Sequence, residues 1–293
     1  MATPRPGRNA MSEARPAPLR LYYYNNEQNF GDMLSPLLVE ALCPARRVVW
    51  AEAKRCDLMA VGSILSAVDR LRKRARRAVL RLGRPLRVWG SGFLAPGPRQ
   101  GTSFVRVHAL RGKLSALRLG VADVPLGDPA LLAARLLPQA AGPRTEEVVL
   151  APHLQDTRAQ MWIEGIRALF PDRPIRVVHL GENVDDVLRA IARARLVVAS
   201  ALHPLIVAHS YGTPCLWVDP QNTVTHIGGH YKFQDFYSAT GMDSSPVLAQ
   251  DLTQASDAPS WRSRIEDMAA SSIIPPRVLA SLQDDLVSVF PFA

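Results

Sequence analysis

The sequence predicts an α/β protein made of two facing Rossmann-like halves, and three observations carry that reading. Short apolar runs alternate with helical patterns along the chain. The runs are continuously apolar rather than alternating, as strands buried on both faces of a parallel sheet must be. A stretch rich in Pro, Gly and Ala, PQAAGPR at Pro138–Arg144, divides the chain into two parts of similar size. With 293 residues, 47% of them hydrophobic, and a mean hydropathy of zero, the chain can bury a substantial core, which excludes a mainly disordered protein. The expected organisation is a disordered tail over 1–18, an N-terminal α/β domain over 19–138, a C-terminal α/β domain over 145–280, and a helix in 281–293 packing back on the first domain.

The strands are expected at Leu19–Tyr24, Asp57–Val61, Leu86–Trp89 and Phe104–His108, then at Glu147–Leu150, Ile175–His179, Leu196–Ala199 and Pro214–Val218. The clearest helix is VDDVLRAIARA, where Val184, Val187, Leu188 and Ile191 recur at i, i+3, i+4 and i+7. Gln160–Phe170 is another. Ser200–Tyr211 is a third, ended by Gly212 with Pro214 beyond. Two such halves place a ligand cleft between them, at the carboxyl ends of the strands.

Lys and Arg exceed Asp and Glu by nine, and the segment Arg70–Arg87 holds eight Arg and one Lys with no acid, so it carries the whole excess. Leu71, Ala75, Ala78, Val79 and Leu82 recur there at helical steps, giving an amphipathic helix with one apolar stripe. It is either a solvated surface helix or one that lies on an anionic membrane surface. Nucleic acid is a poorer fit, because aromatic residues make up only 6% and are not interleaved with the basic run. Cys43, Cys56 and Cys215 are odd in number and widely spaced, which excludes a disulfide scaffold and a clustered zinc site. No window approaches ~18 consecutive apolar residues. The Pro/Arg-rich start has no apolar core of a secretory signal. A cytoplasmic protein is expected, peripheral at the inner membrane if the basic helix binds lipid.

Four motifs fall where the cleft would be. NNEQNFGDML (25–34) follows the first strand and opens a helix. Asn29 lies in it, Gly31 permits a tight turn, and Asp32 is expected to cap a helix starting near Met33. The plain N-cap and an anion-binding helix start are both open readings. In LRGKLSALRLG and VADVPLGDPALL (110–132), Arg111 follows a strand at the mouth of the cleft, and Gly127–Asp128–Pro129 turns into a helix. The fork of an Arg suits a carboxylate or phosphate, although a surface Arg is the alternative. In LVVASALHPLIVAHSYGTPCLWV (196–218), His203 stands at a strand–helix junction, where it can move protons, and His209 lies deeper in the helix as packing. In HIGGHYKFQDFYSATGM (226–242), His226, His230 and Lys232 surround two glycines. The glycines argue against a helical zinc motif and for a polar loop closing over a ligand.

In this order, NFGDMLSP, Arg-Gly-x-x-Ser, LGDPALL, ALHPLIVAHSYGTPC and KFQDFYSATGM resemble the polysaccharide pyruvyltransferase family, from about Leu19 to Met242. The likeness is to the ketal transferases of succinoglycan- and xanthan-type exopolysaccharide synthesis. It implies a GT-B-like fold and transfer of pyruvate from phosphoenolpyruvate, as donor substrate and not a cofactor, onto a sugar of a lipid-linked repeat unit. Where many members read Ser-Arg-Leu-His-Gly, this chain has Ser200-Ala201-Leu202-His203-Pro204. His203 and Arg111 match family positions, while the second-half Arg position is Ala201. Lys232 and His230 are the expected replacements for that charge. In the mechanism the resemblance implies, Arg111 and Lys232 hold the donor, His203 moves protons, and Asp32 either accepts a proton from the sugar hydroxyl or holds the acceptor. Asn29, Gly31 and Asp128 are further expected contacts, and no metal is required. Two rivals share the architecture. One is a sugar-nucleotide glycosyltransferase, with Glu182 as a possible ribose ligand. The other is an inactive homologue that binds sugar or lipid, which the departures at Ala201 and Pro204 would favour.

Overall fold

The structure is a computed structural model and describes residues 16–25, 29–68, 85–102, 105–221, 228–242, 245–253 and 258–293. Two five-stranded sheets organise it. The first contains β1 (Leu19–Tyr22), β2 (Val48–Trp50), β3 (Leu58–Met59), β4 (Leu86–Trp89) and β5 (Val105–Ala109), in the order β2-β1-β3-β4-β5. The second contains β6 (Val148–Ala151), β7 (Ile175–Val177), β8 (Leu196–Ala199), β9 (Cys215–Asp219) and β10 (Val247–Leu248), in the order β10-β9-β8-β6-β7. Every strand pairing is parallel. Numbered within its own half, each sheet has the same order, 2-1-3-4-5, so each has its switch point between its first and third strands. Ligands of open α/β sheets bind outside the carboxyl ends of the strands at that point.

The helices follow the strands. They are α1 (Phe30–Leu42), α2 (Lys113–Leu119), α3 (Ala133–Leu136), α4 (Ala159–Leu169), α5 (Val184–Arg193), α6 (Leu202–Ser210), α7 (Tyr231–Thr240), α8 (Ala249–Thr253), α9 (Ala258–Ser271) and α10 (Pro276–Ser288). The expected alternation of strand and helix is therefore observed, with two differences. The edge strands β2 and β10 are not legible in the sequence. They are three and two residues long, too short for a periodic signal. The last helix starts at Pro276, earlier than expected, because Pro sets the φ of a first helical turn without losing a needed N–H.

One core joins the two sheets' helices. Phe30, Leu34 and Leu38 of α1 belong to the same buried cluster as Val187, Leu188 and Ile191 of α5 and Leu205 and Ile206 of α6. Each such side chain contributes about 1.5–3 kcal/mol by leaving water, so the helices fix the two sheets against each other. Tyr211 strengthens the seam, its hydroxyl donating to the carbonyls of Ala133 (3.1 Å) and Leu137 (2.7 Å). Leu286 of α10 is buried with Leu19, Leu21 and Trp89 of the first sheet. The Trp89 indole N–H donates to the Leu286 carbonyl at 2.8 Å.

Most of the basic segment, residues 69–84, lies outside the described residues, as does His226. Arg87 lies on β4, its guanidinium 4.8 Å from the centre of the Phe292 ring. Among the described residues no helix is long and apolar enough to cross a membrane.

Candidate functional site

The two switch points face each other across a cavity of about 150 Å³. Asn29, Gly31 and Asp32 reach it from the turn after β1, and Ser63 from the turn after β3. His153 comes from the end of β6, and Ala201 to Pro204 come from the end of β8. Lys232 enters from the first turn of α7. All ten of these positions lie in loops, caps or first helical turns, which is where continuous apolar strands leave polar residues to be used.

The start of α1 corrects one expectation. Asn29, not Asp32, is the cap: its backbone is extended and its side chain accepts from the Gly31 N–H at 3.0 Å. The helix begins at Phe30, so Asp32 falls in its first turn. The Asn29 side chain, about one turn earlier, satisfies the free N–H, and the Asp32 carboxyl is released to the cavity. Pro36 lies inside this helix and lacks the N–H that would bond the Asp32 carbonyl. Gly31 is required for packing. A Cβ there would sit 2.0 Å from His203 Nδ1 and 2.7 Å from its Cγ, so only glycine lets α1 approach the imidazole.

His203 is the second residue of α6, followed by Pro204 in the first turn, where a missing N–H is harmless. Its Nε2 is buried and has no hydrogen-bond partner among the described residues. Burial, reinforced by the positive charges of Lys232 and Arg111 and by His153, lowers the His203 pKa to about 3, so the ring is neutral. Burial, with Arg111, lowers Lys232 to about 8. Burial raises Asp32 to about 7. The cavity thus combines an ammonium, a neutral imidazole with one unpartnered nitrogen, and a carboxyl poised between its two forms at neutral pH. An ammonium, together with a carboxyl proton donor matched to the ambient pH, suits binding and protonation of a small anion.

The remaining expected residues lie elsewhere. Arg111 is wholly buried behind the cavity rather than standing at its mouth. Its Nε donates to Asp235 Oδ2 at 3.0 Å, while its other nitrogens donate to Ser63 Oγ and the Phe93 carbonyl. Asp235 also accepts from the Ser115 N–H at 2.8 Å and hydroxyl at 2.6 Å. A fully hydrogen-bonded pair satisfies both charges, which is the condition for burying them. Arg111 therefore reaches the cavity only through Ser63 and through its field. Asp128 is buried too. It caps the short 3-10 helix Pro129–Leu132 by accepting from the Ala130 N–H at 3.0 Å, and burial raises it to about 6. His230 does not line the cavity. Its Nε2 is 2.8 Å from Asp219, and its ring stands edge-on to Trp217 at 4.9 Å. The described part of the fourth motif is a turn and a helix rather than a loop, so the spacing of two residues sends Lys232 inward and His230 away. His209 is packing, buried against Phe236 and Tyr237 with Nε2 3.0 Å from the Tyr237 hydroxyl.

Sequence reasoning missed Ser63, His153 and Asp235. Ser63 and His153 each follow a strand at a switch point, a signal that strand order would have supplied. Asp235 had none, since its partner is 124 residues away.

The chain is 27% identical over 243 residues to the succinoglycan biosynthesis protein ExoV of Rhizobium meliloti (strain 1021), covering 81% of this chain and 70% of that protein. It is 26% identical over 235 residues to the uncharacterized protein L143 of Acanthamoeba polyphaga mimivirus, covering 76% and 75%. Among solved structures, the S. aureus MnaA–UDP co-structure aligns at 12% identity and a TM-score of 0.47, covering 90% of this chain and 94% of that one. The family model of the polysaccharide pyruvyl transferases matches residues 12–222, and the chain belongs to that family.

Proposed function

We propose that the chain transfers pyruvate from phosphoenolpyruvate to two hydroxyls of a sugar in a polysaccharide repeat unit, forming a cyclic ketal and releasing phosphate. The observation that carries this reading is one small cavity in which Lys232, the unpartnered Nε2 of His203 and the Asp32 carboxyl converge. At about 150 Å³ it is smaller than the ~300–1,000 Å³ typical of drug-sized ligand sites. That scale fits an enol phosphate better than a nucleotide sugar, the rival substrate.

In this reading Lys232 binds the phosphate or carboxylate of the donor, and the field of buried Arg111 adds to the attraction. Asp32, still partly protonated at neutral pH, gives its proton to the methylene carbon, and C2 becomes oxocarbenium-like. A sugar hydroxyl adds to C2 and its proton passes to His203. The C2–O bond to phosphate then breaks, the leaving phosphate taking the proton held by His203, and a second hydroxyl adds to C2 and returns its proton to Asp32, closing the ketal. Burial first, and then the charges of Lys232, Arg111 and His153, hold His203 at low basicity. A bound anion offsets the charge part of that effect, so the imidazole gains basicity when a proton has to be accepted.

The test pairs binding with turnover. Phosphoenolpyruvate should raise the melting temperature of the protein where UDP- and GDP-sugars do not. The His203→Ala variant should lose about 10²–10⁴-fold in ketal formation, the contribution of a positioned proton-transfer group, read by mass spectrometry of the acceptor. Turnover within a few-fold of wild type removes His203 from the chemistry.

A further inference from the structure

A second, larger hollow of about 480 Å³ opens on the far side of Asn29, which lines both it and the small cavity. One wall is formed by Tyr23, Trp50 of the edge strand β2 and Glu40 of α1, and the other by Glu182 and Asp185 at the start of α5. Three features define what it can take. First, Trp50 remains 43% exposed, high for the largest aromatic side chain. Its indole N–H donates to the Tyr23 carbonyl at 3.0 Å, so the ring is held in place before any ligand arrives. A pre-ordered aromatic surface costs little further entropy on binding. Second, the charged residues lining the hollow are all acids, Glu40, Glu182 and Asp185, in a chain of net charge +9. Carboxylates accept hydrogen bonds only and repel phosphates, so the hollow suits a neutral ligand rich in O–H donors. Glu182 is already oriented by accepting from the His179 N–H at 2.8 Å. Third, the junction is polar. Asn29 lines both spaces, its carbonyl oxygen held by the Gly31 N–H.

We infer that this hollow is the acceptor subsite: a neutral sugar ring lies on Trp50 with its hydroxyls on the acidic wall, and the next sugar extends past Asn29 into the small cavity. An apolar C–H face against an aromatic ring, with O–H groups to carboxylates, satisfies both kinds of surface present. The volume, about three times that of the small cavity, accommodates a ring or two of an oligosaccharide. The assignment rests on the proposed transfer reaction for its direction, but the sugar-binding claim stands on the hollow's own walls.

The test uses the full-length protein and a panel of neutral cello-, malto- and galacto-oligosaccharides, with binding followed by saturation-transfer NMR. At least one member should bind at millimolar concentration. Trp50→Ala should weaken that binding by about tenfold or more, as truncation of a central interface aromatic does. Trp50→Phe, which keeps the ring, should stay close to wild type, and Glu40→Lys should weaken binding. The melting-temperature shift with phosphoenolpyruvate should be the same in all four proteins. Equal binding by wild type and Trp50→Ala, or no binding by any panel member, overturns the assignment. Loss of the phosphoenolpyruvate shift with Trp50-dependent sugar binding intact overturns the donor reading alone.

Discussion

Replacing Gly31 with Ala separates the positioning of His203 from the stability of the fold. The added Cβ would lie 2.0 Å from His203 Nδ1, against the 3.4 Å at which ordinary contact begins, so the imidazole must retreat by about 1.4 Å. The nearest atoms all belong to the His203 side chain, so the clash is relieved by moving a side chain rather than the backbone. Gly31 is in the first turn of α1 and is not among the glycines of positive φ. Ala is therefore compatible with its backbone and favours the helix by about 0.5–1 kcal/mol over Gly. The expected result has opposite signs. Urea unfolding should show stability unchanged within about 1 kcal/mol or slightly raised, while turnover falls about 10²-fold, the loss that follows a 1 Å displacement of a reacting group. Phosphate release from phosphoenolpyruvate in the presence of acceptor measures the second quantity. A Gly31→Ala variant that keeps wild-type turnover would show that His203 need not occupy its observed position, and would remove the basis for its role.

Two further predictions follow from the buried charges. Asp235→Ala leaves Arg111 buried with an uncompensated charge. It should cost about 3–5 kcal/mol, a fall in Tm on the order of 10 °C, and Arg111→Met combined with Asp235→Leu should recover most of that loss. A single variant as stable as wild type, or a double variant no better than the single, contradicts the pairing. Burial lifts Asp32 to about 7, so the native state keeps a proton that the unfolded chain releases near the usual carboxylate value of ~3.9. Stability contributed by this group falls as pH rises across that window. Asp32→Asn should match wild type in acid and exceed it above pH 7, as measured by urea midpoints, and a gap that does not widen with pH refutes the assignment. In wild type, turnover should also decline above pH 7 as the proton donor is lost.

The position of the site was more legible than its electrostatics. His203 follows a strand directly and Gly31 opens the first helix, so both could be placed at strand ends from local pattern. Lys232 lines the cavity while its neighbour His230 turns to Asp219, because which of two nearby residues faces inward depends on the helix that begins between them. Asp32 was assigned to a cap that Asn29 fills, since either side chain has the chemistry and the choice rests on where the first turn closes. Trp50 went unnoticed because its strand is three residues long and exists through pairing with β1.

By itself the sequence determined two parallel sheets with helices between their strands, because burial on both faces writes itself into consecutive residues and Gly and Pro mark the turns. The tertiary structure alone decided the state of the charges. Arg111 has the same composition-level signature as any surface arginine, and only the arrival of Asp235 from 124 residues away turns it into a buried pair. Periodicity records how each residue meets its near neighbours in the chain, whereas a proton's affinity depends on every charge and every ångström of solvent around it, which only the folded arrangement sets.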